Sequence, residues 1–298
     1  MFQFSLRQLS LFAETAKCGG IARAARNMSV SPAAVASAID KLEDTTGLVL
    51  FDRFPARGMR LTPIGAEFLA DAEALLAQSR RLAKHATDLA AGDAGSLRLG
   101  THHAVAQNIV LPAVLALRES HPGVRIEIVE DEFDNLTAAL DNGEVDALVV
   151  FDQGFDPLRH RVETLKVLDP IVLLPAAHPL AKGDRIEVRD LTDLPYINVS
   201  SSGPGQSYLD MLRAAGLDPE VPLSSRSREL AQAYVGKGLG FTLVAFPPRL
   251  DVTIEGDHIA ARPLKQSIGT VSVVIAQSRG GRLTRFAHSF LQACRAQI

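Results

Sequence analysis

The chain has 298 residues, 47% of them hydrophobic and 22% charged, the balance of a soluble globular protein with room for two domains. With no Trp and only 5% aromatics, it offers little for a carbohydrate platform or a single-strand stacking groove. The net charge of −3 conceals an asymmetry: residues 1–62 hold eight basic side chains against five acidic ones, and the acidic excess lies beyond them. A basic head on an acidic body suggests that only the head meets a polyanion.

No apolar run approaches the length of a membrane span. The opening "MFQFSLRQLSLF" lacks the basic region, long apolar core and small-residue cleavage site of a signal peptide. A cytoplasmic location without membrane attachment is therefore expected. Cys18 and Cys294 lie at opposite ends of the chain, with neither metal nor redox spacing, and are expected to be reduced thiols.

Residues 5–17 place Leu6, Leu9, Phe12, Ala13 and Ala16 at helical spacing, with Ser5 as N-cap and Gly19-Gly20 as the stop. "IARAARNM" predicts a second short helix. A third begins after Ser31, which can cap it, with Pro32 at the first helical position and Val35, Ile39 and Leu42 as its core stripe. The apolar "LVLF", the loop "DRFPARG" and "MRLT" then read as a small β-wing. Thr62-Pro63 opens a long helix whose apolar stripe includes Ile64, Phe68, Leu75, Leu76, Leu82, Ala83, Ala86 and Leu89. A stripe that long cannot be buried on a sixty-residue head and is expected to pair with another copy of itself.

After the linker "AGDAGS" the periodicity changes. "LRLGT", "VRIEIVED" and "VDALVVF" read as strands alternating with the helices "AQNIVLPAVLALRESHP" and "FDNLTAALDNGE", a βαβ pattern with a largely parallel sheet. A second unit begins with "DPIVLLPAAHPLA" and reads as strands in "YINVSSSG" and "FTLVAFP" and helices in "PGQSYLDMLRAAG" and "SRELAQAYVGKGLG". The strand "GTVSVVIAQS" and a final helix close the chain.

Two α/β halves put a cleft beyond the carboxyl ends of their strands. The loops there offer Thr101, His102 and His103, then Phe133 and Phe151, then Ser200, Ser201, Ser202 and Gln206, and finally Arg226, Arg228 and Phe246. Hydroxyls and backbone N–H groups at a helix start suit a carboxylate, with Arg226 as the opposing charge. Adjacent histidines point in different directions and no third ligand follows at a fitting spacing, so neither a metal nor another cofactor is expected. A Ser201–His102–Asp152 triad lacks a nucleophile elbow, so no catalytic residues are assigned. "GKGLG" follows a helix rather than a strand and reads as a turn, not a phosphate loop.

The head, from Leu6-Arg7-Gln8-Leu9 through Ala24-Ala25, Ser31, Ala34-Val35, Leu42-Glu43 and Leu50-Phe51 to Leu61-Thr62 and Gly65, resembles the N-terminal domain of the LysR-type bacterial transcriptional regulators. "LPAVLALRESHPGVRIEIVE", "LTAALDNGEVDALVV" and "VGKGLGFTLVAF" extend the resemblance to that family's effector domain. It implies α plus α/β architecture: a winged helix-turn-helix DNA-binding domain over 1–62, a dimerisation helix over 63–92, and a periplasmic-binding-protein-like effector domain over 93–298. Of the last, subdomain I would span about 93–166 and 268–298, and subdomain II about 167–267. The implied partners are double-stranded promoter or operator DNA, a small-molecule effector of organic-acid type, and further copies in a homodimer or homotetramer. A disulfide switch of the peroxide-sensing kind is disfavoured, because the body holds only Cys294.

The expected DNA contacts are Arg26, Ser31, Pro32, Ala33, Ala36, Ser37, Arg53 and Arg57, arginines serving phosphates and the helix face serving bases. Where the family often has Ser-Gln-Pro-Ala, this chain has Ser31-Pro32-Ala33-Ala34, so the Gln that could bond an adenine edge is missing. Specificity is expected to rest on methyl contacts, one serine, DNA shape and deformability, and the wing arginines, and Ala33→Gln or Ala36→Gln should move sequence preference more than nonspecific affinity. The alternative reading is a cytosolic solute-binding or enzymatic α/β protein with an accessory helical head.

Overall fold

The structure is a computed structural model that describes residues 4–54, 58–91, 95–199, 205–279 and 283–296. The chain divides into two compact units, Met1–Ala90 with Asp141–Glu144, and Ala91–Leu140 with Val145–Ile298.

The first unit begins with α1 (Leu6–Cys18), where a capping box closes the start: Gln8 N donates to Ser5 Oγ at 3.2 Å and Ser5 N to Gln8 Oε1 at 2.8 Å. Gly19, at φ 68°, ends it in the left-handed conformation that glycine accepts without strain. Then come α2 (Ile21–Asn27) and α3 (Pro32–Thr46), the latter capped by Ser31, whose Oγ accepts from Ala34 N at 3.2 Å. Leu9, Phe12, Val35, Ile39 and Leu42 are buried together around Ala24 and Ala25, whose small size lets the helices cross closely.

The wing is β1 (Phe51–Phe54) paired antiparallel with β2 (Gly58–Leu61). This corrects the sequence expectation: "LVLF" contributes only Phe51 to the ladder, and Asp52, Arg53 and Phe54 are strand rather than loop. Glu43 of α3 sits at this start: its Oε1 accepts from Leu50 N at 2.7 Å, which takes that donor from the ladder, and also from Phe51 N at 3.2 Å. The long helix α4 (Pro63–Ala91) starts at Thr62, whose Oγ1 accepts from Gly65 N at 2.8 Å. A Cβ on Gly65 would lie 2.1 Å from Leu50 O, so only glycine permits this approach. Along α4, Ala72 and Leu76 are buried while Leu75, Leu82 and Leu89 are exposed.

The second unit opens with β3 (Ser96–Thr101), α5 (His103–Val105), a π-turn (Ala106–Val110) and α6 (Leu111–Ser120). The helix thus begins earlier than the sequence pattern suggests. Pro112 has no N–H to give Asn108, and the preceding turn widens so that Leu111 N bonds Ala106 O. Next are β4 (Arg125–Glu130), α7 (Phe133–Asp141), β5 (Ala147–Phe151) and β6 (His160–Leu168). The chain then crosses into a second lobe with β7 (Ile171–Pro175), β8 (Ile197–Val199), α8 (Gly205–Ala214), β9 (Leu223–Ser225), α9 (Arg228–Gly236), β10 (Thr242–Val244) and β11 (Ile259–Pro263). It returns with β12 (Val271–Ser278) and α10 (Arg285–Ala296).

The first lobe's five strands run in the order β4-β3-β5-β12-β6. β3 is parallel to β4 and β5, but β12 is antiparallel to β5 and β6, so the sheet is mixed rather than largely parallel. The second lobe holds an antiparallel sheet, β10-β7-β11, and a parallel pair, β8-β9. The strands β6, β9 and β11 have no counterpart in the sequence reading.

Candidate functional site

A cavity of about 300 Å³ lies in the second unit where the two lobes face each other. Its walls come from the carboxyl ends of strands in both lobes, the position the α/β topology dictates. From the first lobe come His102, His103 and Ala104 after β3, Glu130 to Glu132 after β4, and Phe151 at the end of β5. From the second come Val199 ending β8, Arg226 to Arg228 after β9, Glu229, and Leu243 to Ala245 around the end of β10, with Tyr208 from α8.

His102 is only 3% exposed and stacks on Phe151, ring centroids 6.0 Å apart. Phe151 N donates to His102 Nδ1 at 3.3 Å, so the neutral ring carries its proton on Nε2. That Nε2 has no partner among the described residues. Burial pushes the His102 pKa down to about 4, so the ring stays neutral at physiological pH. Tyr208, 5% exposed, likewise has a hydroxyl without a partner among the described residues, and burial raises its pKa. Arg228 donates to Phe246 O at 2.8 Å, and burial lowers its pKa. Three donors therefore line the cavity, and those of His102 and Tyr208 have no partner among the described residues.

The rim is acidic and bridged. Arg226 donates to Glu132 Oε1 at 2.6 Å, joining the lobes. His103 Nδ1 lies 3.0 Å from Glu130 Oε2, and its Nε2 lies 3.4 Å from Glu229 Oε1.

Of the residues expected here from sequence, His102, His103, Phe151, Arg226 and Arg228 line the cavity. The Phe246 ring sits 6.2 Å from Phe151, and its carbonyl holds Arg228. Thr101 and Phe133 do not line it: the Thr101 hydroxyl donates to Val149 O at 2.7 Å, and Phe133 packs on Phe155, centroids 4.9 Å apart. Ser200, Ser201 and Ser202 lie outside the described residues, and Gln206 is described only as part of α8. Sequence reasoning missed Tyr208, Glu229 and the run Glu130-Asp131-Glu132. The run was findable, since it follows β4 at a carboxyl end, whereas Tyr208 depends on the rotational phase of α8. "GKGLG" follows α9, as the turn reading expects, with Gly238 at φ 79°.

In the first unit, Arg26, Ser31, Pro32, Ala33 and Ser37 are exposed and Ala36 is partly so, at the turn between α2 and α3 and along the outer face of α3. Arg53 is held by Asp40 and Glu43, the latter at 3.1 Å, so it already spans wing and helix. Arg57 lies outside the described residues.

Residues 6–66 match the family model for bacterial regulatory helix-turn-helix proteins of the lysR family, and residues 90–298 match the LysR substrate binding domain. The HTH-type transcriptional regulator TtuA of Agrobacterium vitis is 30% identical over 273 residues, 90% of this chain and 88% of TtuA. The regulator AlsR of Bacillus subtilis is 27% identical over 83% of this chain and 84% of its own. Among solved structures, HinK, a LysR family regulator from Pseudomonas aeruginosa, superposes with a TM-score of 0.66 at 28% identity, covering 99% of this chain and 98% of HinK. Helix-turn-helix head, long helix and two-lobed cleft thus agree with the sequence matches over nearly the whole length, and the chain belongs to the LysR family of transcriptional regulators, oligomeric DNA-binding proteins that respond to small-molecule effectors through the C-terminal domain.

Proposed function

We propose that the head, residues 1–62, reads operator DNA while residues 93–298 hold a small organic acid in the cleft, with 63–92 joining the subunits. Bases would meet Ser31, Pro32, Ala33, Ala36 and Ser37, and phosphates would meet Arg26 and Arg57, joined by Arg53 if it exchanges its carboxylate partners for the backbone. The observation that carries the effector reading is a set of donors in the cavity lining: the Arg228 guanidinium with the buried His102 and Tyr208, whose Nε2–H and hydroxyl have no partner among the described residues. A buried donor without an acceptor is costly until one arrives, and a carboxylate supplies two oxygens that His102, Tyr208 and the Arg228 guanidinium could share. Ser200, Ser201, Ser202 and Gln206 would add further contacts to the same ligand. An acid that binds one lobe arrangement more tightly than the other shifts their populations and thereby the regulator's output.

The relatives compared above are transcriptional regulators, and we assign no enzymatic activity and a cytoplasmic location. No helix among the described residues is long and apolar enough to cross a membrane. The test is a thermal-shift screen of small organic acids against the wild type and Arg228→Ala. The expected outcome is a stabilising acid whose effect is lost in the variant, and a shift of equal size in both proteins would refute the site.

A further inference from the structure

The lining of the cleft carries four carboxylates, Glu130, Asp131, Glu132 and Glu229, against two guanidinium groups, Arg226 and Arg228. His102 adds no charge, and Arg226 is already committed to Glu132 at 2.6 Å. A simple carboxylate docked on Arg228 would leave Glu130, Asp131 and Glu229 facing its negative charge in a partly desolvated space. Opposite charge on the ligand is what such a rim selects.

The geometry also says where that charge would sit. Glu130 belongs to the first lobe and Glu229 to the second, yet both reach the same imidazole, His103, at 3.0 and 3.4 Å. Glu130 and Glu229 thus bring a carboxylate from each lobe to the rim around His103, where an ammonium, with three donors, can meet either of them. The same lining carries the Nε2–H of His102 and the hydroxyl of Tyr208, both without a partner among the described residues. The lining also has an apolar part, with Phe151, Leu243 and Val244.

We propose that the effector is an amphoteric acid, an α-amino acid with an apolar side chain or a close derivative, with its carboxylate on Arg228, His102 and Tyr208 and its ammonium at the carboxylate rim, on Glu130 or Glu229. This rests on the effector-cleft reading above and narrows it from organic acids at large to those carrying an amine. It also assigns the acidic rim a selective role: each carboxylate there repels acids that lack the cationic group.

The test is isothermal titration of the full-length protein with matched ligands: leucine against 4-methylpentanoate and isoamylamine, phenylalanine against 3-phenylpropanoate and phenethylamine. In at least one set the amino acid should bind about tenfold or more tightly than either truncated partner, the size expected for a lost charge-assisted contact. Glu130→Gln with Glu229→Gln should bring the ratio of amino acid to deaminated acid towards one while binding of the deaminated acid persists. The wild-type comparison needs no variant to fold. A deaminated acid that binds as tightly as its amino acid overturns the amphoteric class and leaves the cleft reading standing. If no acid in either set binds, or if binding survives Arg228→Ala, both fall.

Discussion

A histidine buried as deeply as His102 must give up its charge, because desolvation penalises the imidazolium more than the neutral ring. The consequence is a pH dependence with a defined sign. The unfolded chain takes up this proton below about pH 6.5, whereas the folded chain resists it down to about pH 4. Across that interval the unfolded state binds more protons, so the stability held above pH 6.5 is lost progressively as the pH falls. His102→Gln is expected to flatten this part of the profile, read as urea midpoints across the same interval; a slope as steep as the wild type's would assign the effect to other groups. The pair His102-His103 was legible as a cleft feature because it follows a strand in an α/β pattern. Which ring turns inward and which meets Glu130 is set by the packing of Phe151 and by β4, which no local pattern encodes.

Between elements, Glu43 joins α3 to the wing, accepting from the backbone of Leu50 and Phe51 while also meeting Arg53. Glu43→Ala leaves two partly buried N–H groups without their acceptor and should cost about 1–3 kcal/mol, with Glu43→Gln losing less because its amide oxygen still accepts. Urea denaturation of the full-length chain reads this, and equal midpoints for wild type and Glu43→Ala would mean that the bonds add nothing net. Caps and core stripes in this unit were legible because each is a local signal: Ser5, Ser31 and Thr62 as caps, Val35, Ile39 and Leu42 as a face. The strand limits of the wing were not, since they follow from a side chain reaching across from another element. β6, β9 and β11 escaped for a related reason: β6 is an edge strand with few buried positions, β9 is three residues long, and β11 is recognised by pairing with β7. Sheet order is likewise non-local, which is why a βαβ pattern pointed to a largely parallel sheet where β12 enters antiparallel.

For the whole molecule, the two-part division was visible in the change of period near residue 92 and in the shift from basic to acidic composition. Leu82 and Leu89, 68% and 69% exposed and one heptad apart on α4, remain unburied within a single chain. Leu82→Glu with Leu89→Glu is expected to lower the oligomer population in sedimentation at micromolar concentration and to weaken operator binding in parallel, because paired heads share one two-fold site. An unchanged sedimentation profile would move the subunit contact elsewhere. The insertion of the second lobe into the first also governs how the chain is made. β12 lies between β5 and β6, pairing Leu168 with Val271, so everything between those residues must be synthesised before the first sheet can close. Loop-closure entropy weighs on that pairing, and contacts so distant in sequence form slowly. Until β12 leaves the ribosome, β5 and β6 present open edges to any other strand nearby, the condition in which chaperones find their clients. The lobe that is begun first is therefore the one completed last.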